Sequence, residues 1–172
     1  MQVNKAENNI YTKKPSKLNN LATGFIADLK LGVPVLSQYA VGDFYSKQKE
    51  TAQNLAKVQD GKEDGTIKKI AKGFVTQLVY TIPVIGTYKI GKDKNNHDML
   101  KNAVEAQKYD STFAPKKSNP IKTYFKGLGE KIKLLIPVYS IYYAGKVVNE
   151  TKNMYKDSQA INAKKNAKNK IK

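Results

Sequence analysis

The feature that most constrains this chain is a stretch that occurs three times. Residues 73–91 read GFVTQLVYTIPVIGTYKIG, and the same skeleton returns on either side. The copies are Gly24, Pro34, Tyr39, Gly42; Gly73, Pro83, Tyr88, Gly91; and Gly127, Pro137, Tyr142, Gly145. With the first glycine as i, the proline stands at i+10, the tyrosine at i+15 and the second glycine at i+18 in every copy. A fixed internal pattern makes a chain of like units the first architecture to consider.

Each copy is preceded by a helical pattern. Leu18, Leu21, Ala22, Phe25, Ile26 and Leu29 fall at the spacing of one helix face, and Ile67, Ile70, Ala71, Phe74, Val75 and Leu78 match them position for position. Ile121, Tyr124, Phe125, Leu128, Gly129 and Ile132 form the third set. Ser16, Thr66 and Asn119 stand where caps belong, with Pro120 at a first-turn position that tolerates it. The β-branched run 75–84 also suits a strand, but a helical period repeated three times argues against one. Pro34, Pro83 and Pro137 should then break the chain near Val33, Ile82 and Ile136 and begin a second helix. The expected fold is all-α: three tandem helix–Pro–helix repeats at 17–59, 66–110 and 119–161. A flexible segment, 1–16, precedes them, and a basic tail, 162–172, frayed or disordered, follows. Polar linkers are expected at 60–65 and 111–119, and 92–98 should weaken the second helix of the middle repeat. Each first helix is expected to bury its stripe against its neighbours, with Phe25, Phe74 and Leu128 the most buried.

The residues that carry chemistry are few. Without cysteine there is no disulfide, thiol nucleophile or thiolate metal site. Residues 86–92 fit the first seven positions of a phosphate-cradling G-x-x-x-x-G-K loop, but Asp93 stands where the Mg²⁺-binding hydroxyl belongs and no strand precedes it. His97, the one histidine, reads as a solvated loop residue between Asn96 and Asp98, and one histidine cannot assemble a metal site. The acids are dispersed, with Asp60, Glu63 and Asp64 in a linker. No enzymatic activity, cofactor, metal or small-molecule substrate is expected.

Charge points to anionic partners. All 31 basic residues are lysine against 14 acids, and residues 116–172 hold 14 of the lysines and three of the acids. Lysine point charges suit non-specific attraction to phosphates or headgroups more than the bidentate base readout that arginine performs. The expected partner is an anionic membrane or nucleic acid bound without sequence preference, and a homo-oligomer is compatible with either. The membrane-contact candidates are Ile82, Pro83, Val84, Ile85, Val138 and Tyr139; a proline within each apolar run favours interfacial or re-entrant docking over simple spanning. The anion-contact candidates are Lys164, Lys165, Lys168 and Lys170. The N-terminal stretch MQVNKAENNIYTKKPSK holds no apolar signal-peptide core, so the chain is expected in the cytoplasm, peripherally membrane-associated, or delivered by a carrier other than the general secretion route. The competing reading is a soluble basic structural or nucleic-acid-compacting protein whose repeats pack only on each other.

The segment IPVIGTYKIGKD (82–93), and less closely VPVLSQYAVGD (33–43) and IPVYSIYYAGK (136–146), resembles segments found ahead of the toxin domains of bacterial polymorphic toxins. It is also similar to hydrophobic helices of phage tape-measure and internal virion proteins. The resemblance covers these short segments alone, and the first and third copies lack a glycine equivalent to Gly86. It implies a small helical protein that is delivered or carried inside a virion, acting where a payload crosses an envelope.

Overall fold

A proline has no N–H to give a preceding turn, and all three φ-Pro steps are helix boundaries. In the computed structural model, which describes residues 10–56, 64–115 and 118–170 (backbone only for Leu31, Asn169 and Lys170), six helices follow one another. They are α1 (Lys17–Leu31), α2 (Pro34–Leu55), α3 (Thr66–Thr81), α4 (Pro83–Lys108), α5 (Pro120–Leu134) and α6 (Pro137–Lys170). Ser16 caps α1 by accepting from the Asn19 N–H, and Asn119 caps α5 by accepting from the Ile121 N–H. Gly65, not Thr66, occupies the cap of α3, and no side chain bonds there.

The three long helices α2, α4 and α6 pack on one another and run parallel. The register shows it when each helix is numbered from its own proline as p. Gln48 and His97, both at p+14, are hydrogen-bonded, and Asn54 at p+20 bonds Ser158 at p+21. Thr151 shares p+14 with Gln48 and His97, and all three are buried. Thr51, Leu100 and Met154 follow at p+17, then Leu55, Val104 and Ser158 at p+21. This alternating spacing is that of a coiled-coil seam. All three proline corners therefore lie at one end of the shaft. Among the described residues, the buried hydrophobic core is only Val104, Met154 and Ile161, backed by Tyr11, Leu55 and Leu100, and it sits toward the opposite end.

The short helices pack antiparallel on the outside, each against a long helix of another pair: α3 on α2, α5 on α4, and α1 on α6, so that the first helix closes on the last. Glycines make these contacts. A Cβ on Gly73 would stand 1.7 Å from the Gln38 carbonyl oxygen, and one on Gly42 1.7 Å from that of Lys69. Gly91 and Gly127 meet Thr123 and Thr87 in the same way, as Gly24 and Gly145 meet Ile141 and Asn20. Small residues that let helix backbones touch are the packing style of helices that face lipid.

This arrangement corrects the expected packing. Phe25, Phe74 and Leu128 are not the most buried residues of their helices but are 58%, 47% and 38% exposed. The glycine face needs no apolar lining to bring backbones together, so the stripe is left outside. Three further expectations change. Helix α4 runs unbroken through 92–98, because Asn95 donates to Thr123, Lys126 bonds both Asn95 and Asp98, and His97 turns inward. Helix α6 continues through the expected tail to Lys170, rich in the helix formers Ala and Lys and tied back to α4 by Lys165 on Gln107. Of the expected N-terminal flexible segment, residues 1–9 lie outside the described residues, but Thr12 is fixed by hydrogen bonds to Asp157. In the first linker, Asp60 and Glu63 lie outside the described residues. Asp64 is buried, with hydrogen bonds from Ser46 and Lys72 and an ion pair to Lys68.

Candidate membrane-contact surface

The chain is inverted at its corner end: polar residues line the helix contacts and apolar ones face out. Ser37 and Thr87 are buried, whereas Val33, Val35 and Leu36 at the first corner are exposed. Ile82, Pro83, Val84 and Ile85 are exposed at the second corner, Ile82 being 44% exposed. At the third, Leu135 is 79% and Val138 73% exposed, with Ile136 and Tyr139 beside them. All six membrane-contact candidates thus lie on the surface, and the parallel shaft brings them to one end. Sequence reasoning did not single out Val33, Val35 or Leu36, which complete the surface. The outward stripes of α1, α3 and α5 extend it into a collar around the shaft.

Charge sets how deep this end can go. The runs 31–42, 73–88 and 134–145 hold no charged residue. The first charges on the long helices are Asp43, Lys89 and Lys146, which at the α-helical rise stand about 9–14 Å past the prolines. That is close to one leaflet's hydrocarbon, about 15 Å. On the short helices, Lys30 and Lys133 stand nearer the corners, within reach of the surface through their flexible stems. Exposed Asp28, shortly before Pro34, has no such reach and limits the first corner to about 9 Å. Tyr39 and Tyr88, at p+5 and exposed, place amphipathic rings where an interface would fall, with the Lys69 ammonium 5.9 Å from the Tyr39 ring.

Above this level the interior holds several hydrogen-bonded polar groups. Burial pushes the Tyr45 and Tyr80 phenols up, helped by Asp93, which accepts from both. At Asp43, burial opposes ionisation, but hydrogen bonds from Lys47 and Lys69 outweigh it and lower the pKa. His97, only 2% exposed, donates from Nε2 to Glu150 at 3.1 Å, accepts at Nδ1 from the Gln48 amide at 3.3 Å, and stacks on Phe44. Burial would raise the Glu150 pKa, but hydrogen bonds from His97 and Lys101 bring it down to about 2. His97 is therefore a structural member of the seam, not a solvated loop residue. The seam could have been found by carrying the repeat alignment on to p+14.

The anion-contact lysines are at the other end and are not brought near the corners. Lys165 donates to Gln107, Lys168 pairs with Asp110 at 3.3 Å, and Lys164 is engaged as well. The Lys170 side chain lies outside the described residues. Among the described residues, no group of His, Cys, Asp and Glu could hold a metal ion, and no helix is long and apolar enough to cross a membrane. No protein-family model, curated protein or solved structure matches the chain.

Proposed function

We propose that this chain is a non-enzymatic membrane-docking protein that sinks three apolar proline corners into one anionic leaflet while its lysine-rich shaft stays in water. The observation that carries this reading is the inversion of the corner end, where Leu135 and Val138 face out and Ser37 and Thr87 face in. An exposed apolar collar at one end of a basic protein supplies both terms an interfacial protein needs, burial for depth and cationic attraction for capture. A corner depth of about 9–14 Å, within one leaflet, agrees with docking and not with spanning. The resemblance of residues 82–93 to pre-toxin segments and virion-internal helices fits a delivered or virion-carried protein that works at an envelope. The soluble reading, with helices packing only on each other, needs the stripes covered, and within one chain they are not.

Co-sedimentation with vesicles tests the proposal. The wild-type protein should pellet with phosphatidylcholine vesicles containing phosphatidylglycerol at low salt, and not with phosphatidylcholine alone. A protein that stays monodisperse without detergent and ignores the anionic vesicles contradicts membrane docking. A stable dimer that does the same would mean that a second copy covers the collar.

A further inference from the structure

Beside the shaft, between the segment 11–17 and helices α4 and α6, lies a cavity of about 690 Å³. Six lysines line it, Lys13, Lys14, Lys17, Lys101, Lys108 and Lys146, with three acids, Glu105, Glu150 and Asp157. The acids are already engaged. Glu150 is held by His97 and by Lys101 at 2.7 Å, Asp157 by Thr12 and by Lys108 at 2.7 Å, and Glu105 by Lys108 at 2.8 Å. Among the described residues, Lys13, Lys14, Lys17 and Lys146 make no ion pair, and six lysines against three acids leave the lining of this concave site with a net charge of +3. Helix α1 begins at this cavity, with Lys17 its first residue and no acid in its first turn, which adds a favourable partial charge for an anion. Tyr142 lines the wall on the corner side, and buried Asn20 and Met154 line the interior.

We infer that this cavity is a binding site for a phosphodiester anion, supplied by the headgroup of an anionic phospholipid. The source rests on the membrane-docking reading; the site itself does not. Lys146, at p+9 of α6, stands about 14 Å along the shaft from Pro137, so the corner-side mouth of the cavity, and not its far wall at Lys101 and Lys108, lies at headgroup level when the corners enter one leaflet. A singly charged diester suits a lining that keeps three carboxylates among its six lysines, and lysines suit phosphate as point charges without a demand for bidentate geometry.

The test follows backbone amide shifts of the full chain during titration with glycerophosphoglycerol, the soluble diester headgroup. Saturating shifts confined to residues near 11–20, 101–109 and 142–157 are expected. Changing Lys13, Lys14, Lys17 and Lys146 together to Gln should weaken binding by about tenfold or more, whereas the same change at exposed Lys92, Lys122, Lys152 and Lys156 should leave it within about twofold. Shifts that do not saturate, or equal losses in both variants, would overturn the site. Inorganic phosphate binding as tightly as the diester would overturn the lipid source. Co-sedimentation of the same variants separates the two proposals. Saturable headgroup binding without vesicle binding leaves the site and removes membrane docking. Vesicle binding that both variants retain, without a saturable titration, leaves docking and removes the site.

Discussion

Phe74 and Gly73 are adjacent, and the structure gives them opposite duties. If Phe74 were core, its replacement by Ala would cost about 3–5 kcal/mol. At 47% exposure it buries about half its surface and leaves no closed cavity, so Phe74→Ala should cost only about 1 kcal/mol. Gly73→Ala adds a single methyl, but its carbon would lie 1.7 Å from the Gln38 carbonyl oxygen. A carbon-to-oxygen contact needs about 3.3 Å, so α3 must back away from α2 by more than an ångström along its contact face. Overpacking of this kind costs about 1–3 kcal/mol or more. Adding one carbon should thus destabilise the protein more than removing a phenyl ring, measured by urea unfolding followed by far-UV circular dichroism. A loss of about 3 kcal/mol or more for Phe74→Ala, with Gly73→Ala near neutral, would show that the stripe is core and the glycine face is not, and would refute this packing.

Other outcomes follow from the same geometry. Replacing Ile82 and Ile85 by Asp should abolish pelleting with anionic vesicles yet shift the urea midpoint little, because both side chains already face out. Changing Lys164, Lys165 and Lys168 to Gln should scarcely alter vesicle binding, since the length of α6 from Pro137 to Lys164 is about 40 Å against a screening length of about 8–10 Å. Changing Lys30, Lys89 and Lys133 to Gln should weaken it by up to about 1 kcal/mol each. Glu150, lowered from 4.5 to about 2 in the folded state, contributes stability that is present above pH 4.5 and lost as the pH falls toward 2. Chemical denaturation across that range should show the loss in the wild type, and Glu150→Gln should flatten this part of the profile. If nucleic acid is bound at all, binding should be independent of sequence and fall steeply with salt in a filter-binding assay.

The helix boundaries were legible because their signals are local. Pro34, Pro83 and Pro137 begin helices wherever the rest of the chain goes, and Ser16 and Asn119 cap through bonds to near neighbours in the chain. Which side of each short helix faces inward was not legible. A helical period says that Phe25, Ile26 and Leu29 share a face, but not whether that face meets protein, water or lipid. The glycines that decide it act through partners far along the chain, Gly24 with Gly145 and Gly91 with Gly127. His97 was misplaced for the same reason. Flanked by Asn96 and Asp98 it looks solvated, and only the parallel register of three distant helices buries it between Gln48 and Glu150. The corner candidates were found because apolar runs around a proline are visible locally; their gathering at one end was not.

The central claim is that the corners enter the bilayer while the shaft remains in water. The chain has no cysteine, so single cysteines at Val35, Val84 and Val138, and a fourth at shaft position Lys152, can each carry a nitroxide without a competing site. Depth is read from the relative collision rates with oxygen and a water-soluble nickel chelate on phosphatidylcholine–phosphatidylglycerol vesicles. The three corner labels should report hydrocarbon, favouring oxygen, and the Lys152 label should report water. Corner labels as open to the chelate on vesicles as in solution would contradict the account.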